Sequence, residues 1–386
     1  MDVLRLNDST FLPDSVVEGY SSMIWSERFA PAGDFQMKTP KIDQMRALIP
    51  EGSLVSLLDS KEVMQVETFS IDKDDNGVPE ATIVGRSFET FTENRGFETS
   101  LRLVSNPKYF WRVLTTAEQA LYFLWNDIVS NPTNTPNPNW IPNLVISSNV
   151  TKLENSAFQE VPDIGNVYAK VLDLIQQGGH GIRSIRPVSN DAVLISFDAT
   201  GLPIQTQTAE VTALRLEIYD GVDRTRGQSE NTPVVLSYDA GDITDPKYLF
   251  SIKDYKNIAN VKVDPVAESF ENRLFYIDGA SELTTGLDRR VLSVDSTDIK
   301  YSSDPSYDTA VAQRAYSELA KHNNRLMFGS EVSPLAHYKY GTDYFLGDYV
   351  TVAAEYDFEQ TMIVTEYIRT EDQAGDRGYP TLVLPS

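Results

Sequence analysis

The chain has 386 residues, enough for two or three domains, and its hydrophobic fraction of 41% allows a sizeable core. Its net charge of −23 disfavours binding to nucleic-acid phosphates, because such binding depends on cationic side chains. The absence of cysteine excludes disulfides, thiolate zinc sites and cysteine nucleophiles. We expect no signal peptide and no membrane helix, because the basic-apolar leader and the long apolar run are both missing.

The first stretch, up to about residue 103, reads as short strands joined by turns. Residues 52–58 follow a turn, and residues 64–69 alternate in part at a period of two, as in a half-buried strand. Asn76-Gly77 predicts a tight hairpin turn, since both central positions of such a turn need a positive φ. Residues 81–84 are the expected partner strand.

Three helices are predicted further along the chain. The first lies near 116–129, with a capping box formed by Thr115 and Glu118, and it ends at a proline-rich loop. The second lies near 166–177 and stops at a left-handed cap supplied by Gly178-Gly179. The third lies near 307–322, where apolar residues fall four apart.

Strands fill most of the rest of the chain. Residues 191–197 are an apolar strand, and residues 214–219 alternate cleanly, which predicts one face in contact with water. The C-terminal segment from Tyr344 onward reads as strands again.

The first and last stretches contain a weak internal repeat. The corresponding segments are 52–57 with 347–352, Met64 and Val66 with Met362 and Val364, Gly77 with Gly375, and 82–84 with 381–383. One interpretation is a duplicated small β-barrel with an insertion between the copies. Three such chains would form a ring of six similar units, matching three-fold to six-fold symmetry. The alternative is that two unrelated strand–turn–strand units look alike.

Motifs for chemistry are weak. Residues 72–77 match the opening of a calcium loop, but its twelfth position is Ile83, which cannot coordinate, so a hairpin turn is favoured. Residues 178–181 are glycine-rich but follow a helix, whereas a phosphate-binding loop precedes one. The three histidines are not spaced as local ligand pairs, and no G-x-S-x-G motif supports a serine nucleophile. These histidines are His180, His322 and His337.

Acidic and aromatic residues leave two further possibilities. A carboxylate pair for glycoside hydrolysis can be imagined among 56 acids, but solvent-facing charge is the favoured interpretation of Glu67, Glu89 and Glu93. An aromatic cluster near the C-terminus could stack on sugars or on the surface of a partner. More commonly, such residues pack between strands. Its members are Tyr338, Tyr340, Tyr344 and Phe345. We predict no catalytic, cofactor-binding or metal site.

Several segments, taken in order, resemble one family. They are residues 35–40, 52–55, 66–69, 85–88, 253–257, 329–335, 338–352 and 364–369. In this order they are similar to the baseplate-hub and tail-tip hub proteins of long-tailed phages (siphoviruses), which are related to the late-control hub proteins of contractile tails.

The resemblance implies a homotrimer with two tube-like barrels per chain and an α/β part between them. It implies contact with the tail tube or a distal tail ring above, and with a spike, fibre or receptor-binding protein below. The tape measure protein is a further candidate partner. Because relatives often carry long C-terminal extensions, we expect a separate partner to supply a spike or wall-degrading domain here.

These observations predict a mainly β fold with an α/β insertion. The predicted domains are a first tube-like barrel at 1–105, the insertion at 106–265 and a second barrel at 266–386. The predicted function is a structural hub of the phage tail tip, located in the virion and assembled in the host cytoplasm, without enzyme activity or cofactor. DNA would pass through without stable binding, past an acidic inner wall. The alternatives are a receptor-binding adhesin or a glycan-active cell-wall hydrolase.

Overall fold

The computed structural model describes residues 1–73, 77–96, 109–126, 129, 140–152, 157–162, 165–187, 194–197, 203–206, 213–264, 272–297, 299, 301, 305–322, 326–333, 335–355, 358–372 and 375–385. The strands of the N-terminal part are β1 (Val3–Leu6), β2 (Pro13–Val17), β3 (Ser22–Arg28), β4 (Asp34–Thr39), β5 (Leu54–Leu57), β6 (Val63–Lys73) and β7 (Pro79–Ser87). Helix α1 (Ile42–Leu48) lies between β4 and β5, and a 3-10 helix (Phe88–Asn94) follows β7.

The elements of the middle part are β8 (Tyr109–Thr115), α2 (Ala117–Trp125), β9 (Leu144–Asn149), β10 (Ala157–Pro162), α3 (Val167–Gly178), β11 (Gly181–Ile185), β12 (Leu194–Phe197), β13 (Pro203–Thr206) and β14 (Leu214–Tyr219). The remaining elements are β15 (Asp223–Arg224), β16 (Val235–Ser237), β17 (Ile243–Phe250), β18 (Ile258–Val263), β19 (Asn272–Tyr276), a 3-10 helix (Gly286–Asp288), β20 (Val291–Ser296), α4 (Pro305–Ala320), β21 (Leu326–Val332), β22 (Tyr349–Ala354), β23 (Phe358–Asp372) and β24 (Gly375–Val383).

One 14-stranded sheet joins the two ends of the chain. Its strand order is β17-β21-β24-β23-β3-β4-β7-β6-β5-β1-β2, with β22 also paired to β23, and with β15 and β16 paired to β22. The N-terminal half of the sheet is therefore β1–β7, and the C-terminal half is β15–β17 with β21–β24. The halves meet where β3 pairs with β23.

Each half of the sheet covers its own apolar core. In the N-terminal half, alternate residues of β3, β4, β6 and β7 point into a core that includes Trp25, Phe35, Met37, Met64 and Ile83. In the C-terminal half, the corresponding core includes Phe328, Val350, Met362, Val364 and Leu382. The period-two pattern of the sequence is the physical origin of both cores, because successive side chains of a strand face opposite sides.

The middle part forms a separate α/β layer. Strand β14 pairs with β9 in parallel and with β11 in antiparallel orientation, and helices α2 and α3 pack on this three-stranded sheet. The prediction that β14 has one face in contact with water is wrong. Leu216, Glu217, Ile218 and Tyr219 are all buried, and Glu217 tolerates burial because Arg183 donates to its carboxylate at 2.7 Å.

All three predicted helices are confirmed as α2, α3 and α4. The cap of α2 differs from the prediction: the N-cap is Thr116, whose side chain accepts from the amide of Gln119, because Thr115 is still the last residue of β8. The end of α3 is as predicted, with Gly179 in the left-handed conformation at φ 69°. Helix α1 was not predicted.

The fold is mainly β with an α/β insertion, as predicted. The described strands do not close two separate barrels, however, because the two halves share one sheet. The domain boundaries stay a prediction. Strands β15–β17 lie within the predicted insertion yet pair with C-terminal strands, while β18–β20 form their own sheet against α4.

Candidate functional site

The strands at the centre of each half of the sheet are paired in the same register. In the N-terminal half, Val55 of β5 lies opposite Met64 of β6. In the C-terminal half, Val350 of β22 lies opposite Met362 of β23. These are the residues that the internal repeat had placed in correspondence, so the repeat is a property of the backbone as well as of the sequence.

A β-bulge follows at the same point of each copy. The register of the β6–β7 hairpin shifts between Val66 and Thr68, and that of the β23–β24 hairpin shifts between Val364 and Glu366. A bulge inserts one extra residue and bends the strand. The two long hairpins therefore bend at equivalent positions.

A glycine turn before β5 and β22 is also shared. Gly52 and Gly347 both adopt a positive φ, of 91° and 86°. The amide of Gly52 donates to the carbonyl of Val66 at 2.8 Å, and the amide of Gly347 donates to that of Val364 at 2.7 Å. The left-handed backbone at this turn is what glycine accepts without steric cost.

The last segment of the repeat was predicted two residues out of place. Gly85 of β7 lies opposite Val66, and Leu382 of β24 lies opposite Val364, so Gly85 and Leu382 correspond. The sequence had instead aligned residues 82–84 with 381–383. The error arises because both triplets consist of a threonine followed by two apolar residues, so similarity of residue type suggested a register that the strand pairing does not have.

The seam between the halves runs along β3 and β23. Their pairing extends from Arg28 opposite Glu366 to Met23 opposite Glu371. On the face of the sheet opposite the two apolar cores, here called the open face, the Arg28 guanidinium binds Glu366 at 2.7 Å and Asp34 at 3.0 Å. Backbone pairing and a shared arginine therefore join the two copies in one continuous sheet.

A buried polar contact lies beneath this seam. The side chain of Glu27, only 2% exposed, accepts hydrogen bonds from the indole of Trp25 at 3.0 Å and from the hydroxyl of Tyr340 at 2.8 Å. Tyr340 also stacks on Tyr367 with ring centroids 3.9 Å apart. Burial, together with the nearby Glu27 charge, raises the pKa of Tyr340, so its hydroxyl stays protonated and acts as a donor.

The contact between Glu27 and Tyr340 was not predicted. The two residues lie 313 positions apart, and no local motif marks a buried carboxylate. The available signal was the glutamate inside the apolar stretch of β3, where it follows Met23 and Trp25 on the same face.

Beside the seam lies a cleft of about 630 Å³, lined by residues from both halves that include Leu58, Asp59, Tyr338, Tyr340 and Arg369. Arg369 forms an ion pair with Asp59. The cleft thus contains a paired cation and a protonated tyrosine, an arrangement that suits packing and recognition better than nucleophilic chemistry.

The predicted aromatic cluster is divided between core and surface. Tyr344 is fully buried, and its ring lies edge-on to Tyr340 with centroids 5.7 Å apart. Phe345 is partly exposed. Strand and loop packing, the favoured interpretation, is confirmed for Tyr340 and Tyr344.

The three singled-out carboxylates have different environments. Glu67 and Glu93 lie near the surface and both bind the guanidinium of Arg86 at 2.8 Å. For Glu89 the prediction of solvent-facing charge is wrong, because this side chain is 2% exposed and accepts from the Ser184 hydroxyl at 2.6 Å. The sequence missed this because Ser184 belongs to the middle part, and the middle part packs over the 3-10 helix.

The protonation of Glu89 should make stability depend on pH. Burial raises the pKa of Glu89 from 4.5 to about 7. The unfolded chain then releases this proton at lower pH than the folded one, so stability falls as pH rises from about 4.5 to about 7. We expect Glu89→Gln to gain stability relative to the parent by about 3 kcal/mol over that window. Urea unfolding at pH 4.5, 6 and 8 would measure the difference.

Glu93→Gln is the matched control for that experiment. Hydrogen bonds from Arg86 lower the pKa of Glu93, so removing its charge should cost more at neutral pH than at acid pH, the opposite sign. If Glu89→Gln showed no pH-dependent gain, Glu89 would be ionised in the folded protein.

The three histidines are not brought together. His180 is buried and bonds Asp220 at 2.5 Å, and His337 bonds Asp242 at 2.7 Å. His322 lies just past the end of α4. Each histidine therefore has a local structural environment instead of sharing a catalytic one.

The calcium-loop motif lies on the β6–β7 hairpin. Lys73 pairs with Pro79, and Gly77 has a φ of 79°, so a hairpin is confirmed, while residues 74–76 lie outside the described residues. Among the residues that the structure describes, no group of three or more His, Asp or Glu side chains is arranged to hold a metal ion. None of the described helices is long and apolar enough to cross a membrane.

The middle part is attached to the sheet near the seam. The amide of Ile182 donates to the carbonyl of Phe29 at 3.1 Å, and the Phe29 ring lies edge-on to Tyr219 at 5.4 Å. Since Phe29 follows β3 directly, the insertion contacts the chain where the two halves of the sheet join.

A family model matches residues 3–381, almost the whole chain, and its description is Siphovirus ReqiPepy6 Gp37-like protein. The chain belongs to this family. This membership in a siphovirus family confirms the resemblance found in its sequence. Among curated proteins, none matches this sequence.

Solved structures of tail proteins share the fold of this chain. A tail protein from Neisseria meningitidis MC58 aligns with a TM-score of 0.56 at 12% identity, covering 99% of this chain and 96% of that one. The 43 kDa tail protein of prophage MuSo2 from Shewanella oneidensis aligns with a TM-score of 0.56 at 14% identity, covering 100% and 99%. Prophage tail protein gp18 from Listeria monocytogenes EGD-e aligns with a TM-score of 0.51 at 11% identity, covering 99% of this chain and 94% of that one.

Proposed function

We propose that this chain is a structural tail protein and forms the trimeric hub of the tail tip. The single observation that carries the proposal is the duplicated sheet: each chain holds two copies of one strand arrangement, related by equivalent turns, bulges and registers. Three chains supply six similar units, so one surface of the ring can match a six-fold tail tube. The ring contains only three copies of the whole chain, so a surface that is formed once per chain matches three-fold distal components.

The open face of the sheet suits the wall of a DNA exit channel. Two of its arginines are neutralised locally: Arg28 by Glu366 and Asp34, and Arg86 by Glu67 and Glu93. Phosphates bind where cations are available to replace counterions. A face with paired arginines, on a chain of net charge −23, would let DNA pass without holding it.

The proposed partners follow from this position. A tube or distal tail ring would contact the hub from above, with the tape measure protein inside, and a spike, fibre or receptor-binding protein would contact it from below. The hub would frame the channel, pass on receptor engagement and release DNA, as a virion component assembled in the host cytoplasm. It would perform no catalysis and need no cofactor.

Cryo-electron microscopy of the assembled tail tip tests the proposal. We expect one ring of three chains at the end of the tube, with the open face of the sheet toward the channel. A chain found on peripheral fibres would instead favour an adhesin, and turnover of cell-wall glycan by the purified chain would favour a hydrolase.

A further inference from the structure

Two strand segments of the sheet lack a neighbour on one side among the strands that the structure describes. Strand β17 is the last of these strands in the sheet and pairs with β21 alone. Strand β6 pairs with β7 along its length, but its other side pairs with β5 only at Val63–Gln65. Beyond the bulge, the segment from Thr68 to Lys73 has no second strand partner among the described strands.

The duplication shows what kind of partner this segment of β6 would take. The equivalent segment of β23, from Glu366 to Glu371, pairs with β3 along the seam. The strand equivalent to β3 is β17, because each of them is the outermost strand on the same side of its half. Trp25 of β3 lies opposite Phe35 of β4, and Tyr248 of β17 lies opposite Phe328 of β21, at equivalent positions. Inside the chain, the β3 edge of one copy therefore covers the β23 edge of the other.

We propose that β17 of one molecule pairs, antiparallel, with residues 68–73 of β6 in a second copy of this chain. This contact between two molecules would have the same strand pairing as the seam within one chain. Its register follows from the seam by replacing each residue with its equivalent in the other half. The seam pair Ile24 and Thr370 predicts that Lys247 lies opposite Asp72. The seam pair Glu27 and Tyr367 predicts that Phe250 lies opposite Phe69.

The chemistry of the two edges is complementary in this register. Asp72 lies opposite Glu80 within its own hairpin, so two acids of one molecule meet a lysine of the next. Lys247 is 77% exposed, and its ion pair with the exposed Asp245 of its own strand, at 3.2 Å, leaves it open to further carboxylates. Opposite charges on facing strands stabilise the pairing, and like charges oppose it.

Exposed apolar side chains lie on the same two edges. Leu249 is 56%, Phe250 69% and Ile252 56% exposed on and after β17, and Ile71 is 49% exposed on β6. Apolar residues on an unpaired strand edge favour addition of another strand, and proteins usually prevent this with charge or with a covering element. These edges therefore have the composition of an interface between copies.

A contact between different edges of the same molecule is head-to-tail, so it generates a ring when the rotation closes. The pairing rests on the duplication, whereas the number of three chains rests on the proposed function. In such a ring, seams within chains would alternate with seams between chains.

Disulfide trapping tests the register directly, because the chain has no cysteine of its own. One variant carries Lys247→Cys and a second carries Asp72→Cys; the two are mixed and oxidised. Residues facing each other on antiparallel strands have Cα atoms about 4.5–5.5 Å apart, within disulfide range. We expect a cross-linked dimer from the mixture, neither variant cross-linking alone, and a covalent three-chain species from the double variant.

The matched control replaces Asp72→Cys by Ile71→Cys, which places the thiol on the other face of the strand. It should cross-link at least tenfold less. Equal cross-linking of the control, or a three-chain ring by mass photometry without cross-linking of the Lys247 and Asp72 variants, would overturn the proposal. A monomer without cross-links at high concentration would do the same.

A charge swap provides a second readout. Lys247→Glu should weaken association roughly 2- to 5-fold, and adding Asp72→Lys should restore it. Lys262→Glu, a cationic position on the separate β18–β20 sheet, is the control and should change nothing. If the cross-links form in solution but the protein is absent from the tail tip, the strand pairing would stand and the proposed hub function would be wrong.

Discussion

Replacing Gly347 by alanine is expected to destabilise the protein far more than replacing Gly52 by alanine. Both glycines occupy the same turn of the duplicated sheet with a φ near 90°, and an alanine there costs about 1–2 kcal/mol in either copy. A Cβ at Gly52 would meet nothing within 4 Å, whereas one at Gly347 would lie 2.3 Å from the Phe29 ring.

The ring of Phe29 has little room to move away. It is 7% exposed and packs edge-on against Tyr219, and a Cβ on Gly181 would also lie 2.5 Å from it. Overpacking of this kind costs about 1–3 kcal/mol, so Gly347→Ala should cost about 2–5 kcal/mol in total. Urea unfolding of both variants, followed by tryptophan fluorescence, would measure the two costs.

A combination of substitutions separates the two contributions. Phe29→Leu in the Gly347→Ala background should recover part of the loss relative to Phe29→Leu alone, because it relieves the contact but not the backbone strain. Equal destabilisation by Gly52→Ala and Gly347→Ala would mean that the Phe29 contact contributes nothing.

Glu27→Ala is expected to be the second severe substitution. It leaves the indole of Trp25 and the hydroxyl of Tyr340 without an acceptor beneath the seam. An unsatisfied buried donor costs about 1–3 kcal/mol, so the two together should lower the free energy of unfolding by about 3 kcal/mol or more. Thermal and urea unfolding would quantify the loss.

Two controls define this result. Glu27→Gln retains one acceptor oxygen for the Trp25 indole, and its amide can donate to the Tyr340 hydroxyl, so it should recover most of the stability. Glu359→Ala removes an exposed ion pair with Arg226 and should cost less than about 1 kcal/mol. Should Glu27→Ala prove as stable as Glu27→Gln, the hydrogen bonds to this carboxylate would not hold the seam.

Local patterns in the sequence predicted local structure well. The helices α2, α3 and α4 follow from apolar spacing and end signals, and the end of α3 at Gly179 follows from the left-handed conformation that only glycine takes easily. The repeat could be predicted at Gly52, Met64 and Val66 because these positions are tied to a turn and a core face.

Long-range features could not be predicted in the same way. The pairing of β3 with β23 joins residues more than 300 positions apart, and the sequence of neither strand specifies which strand it pairs with. The burial of Glu89 and of β14 depends on the middle part packing over other elements, which periodicity does not encode. Two closed barrels were the natural expectation for a duplication, and the shared sheet replaces them because β3 pairs across the seam.

The two copies of the sheet unit differ mainly in their flanks. Strand β5 is flanked by the antiparallel pair β1 and β2, whereas β22 is flanked by the parallel strands β15 and β16, which lead out of the insertion. In a ring of three chains, a protein that binds the shared long hairpins would find six docking sites. A protein that binds either flank would find three. The stoichiometry of each neighbour would then report which strands it contacts.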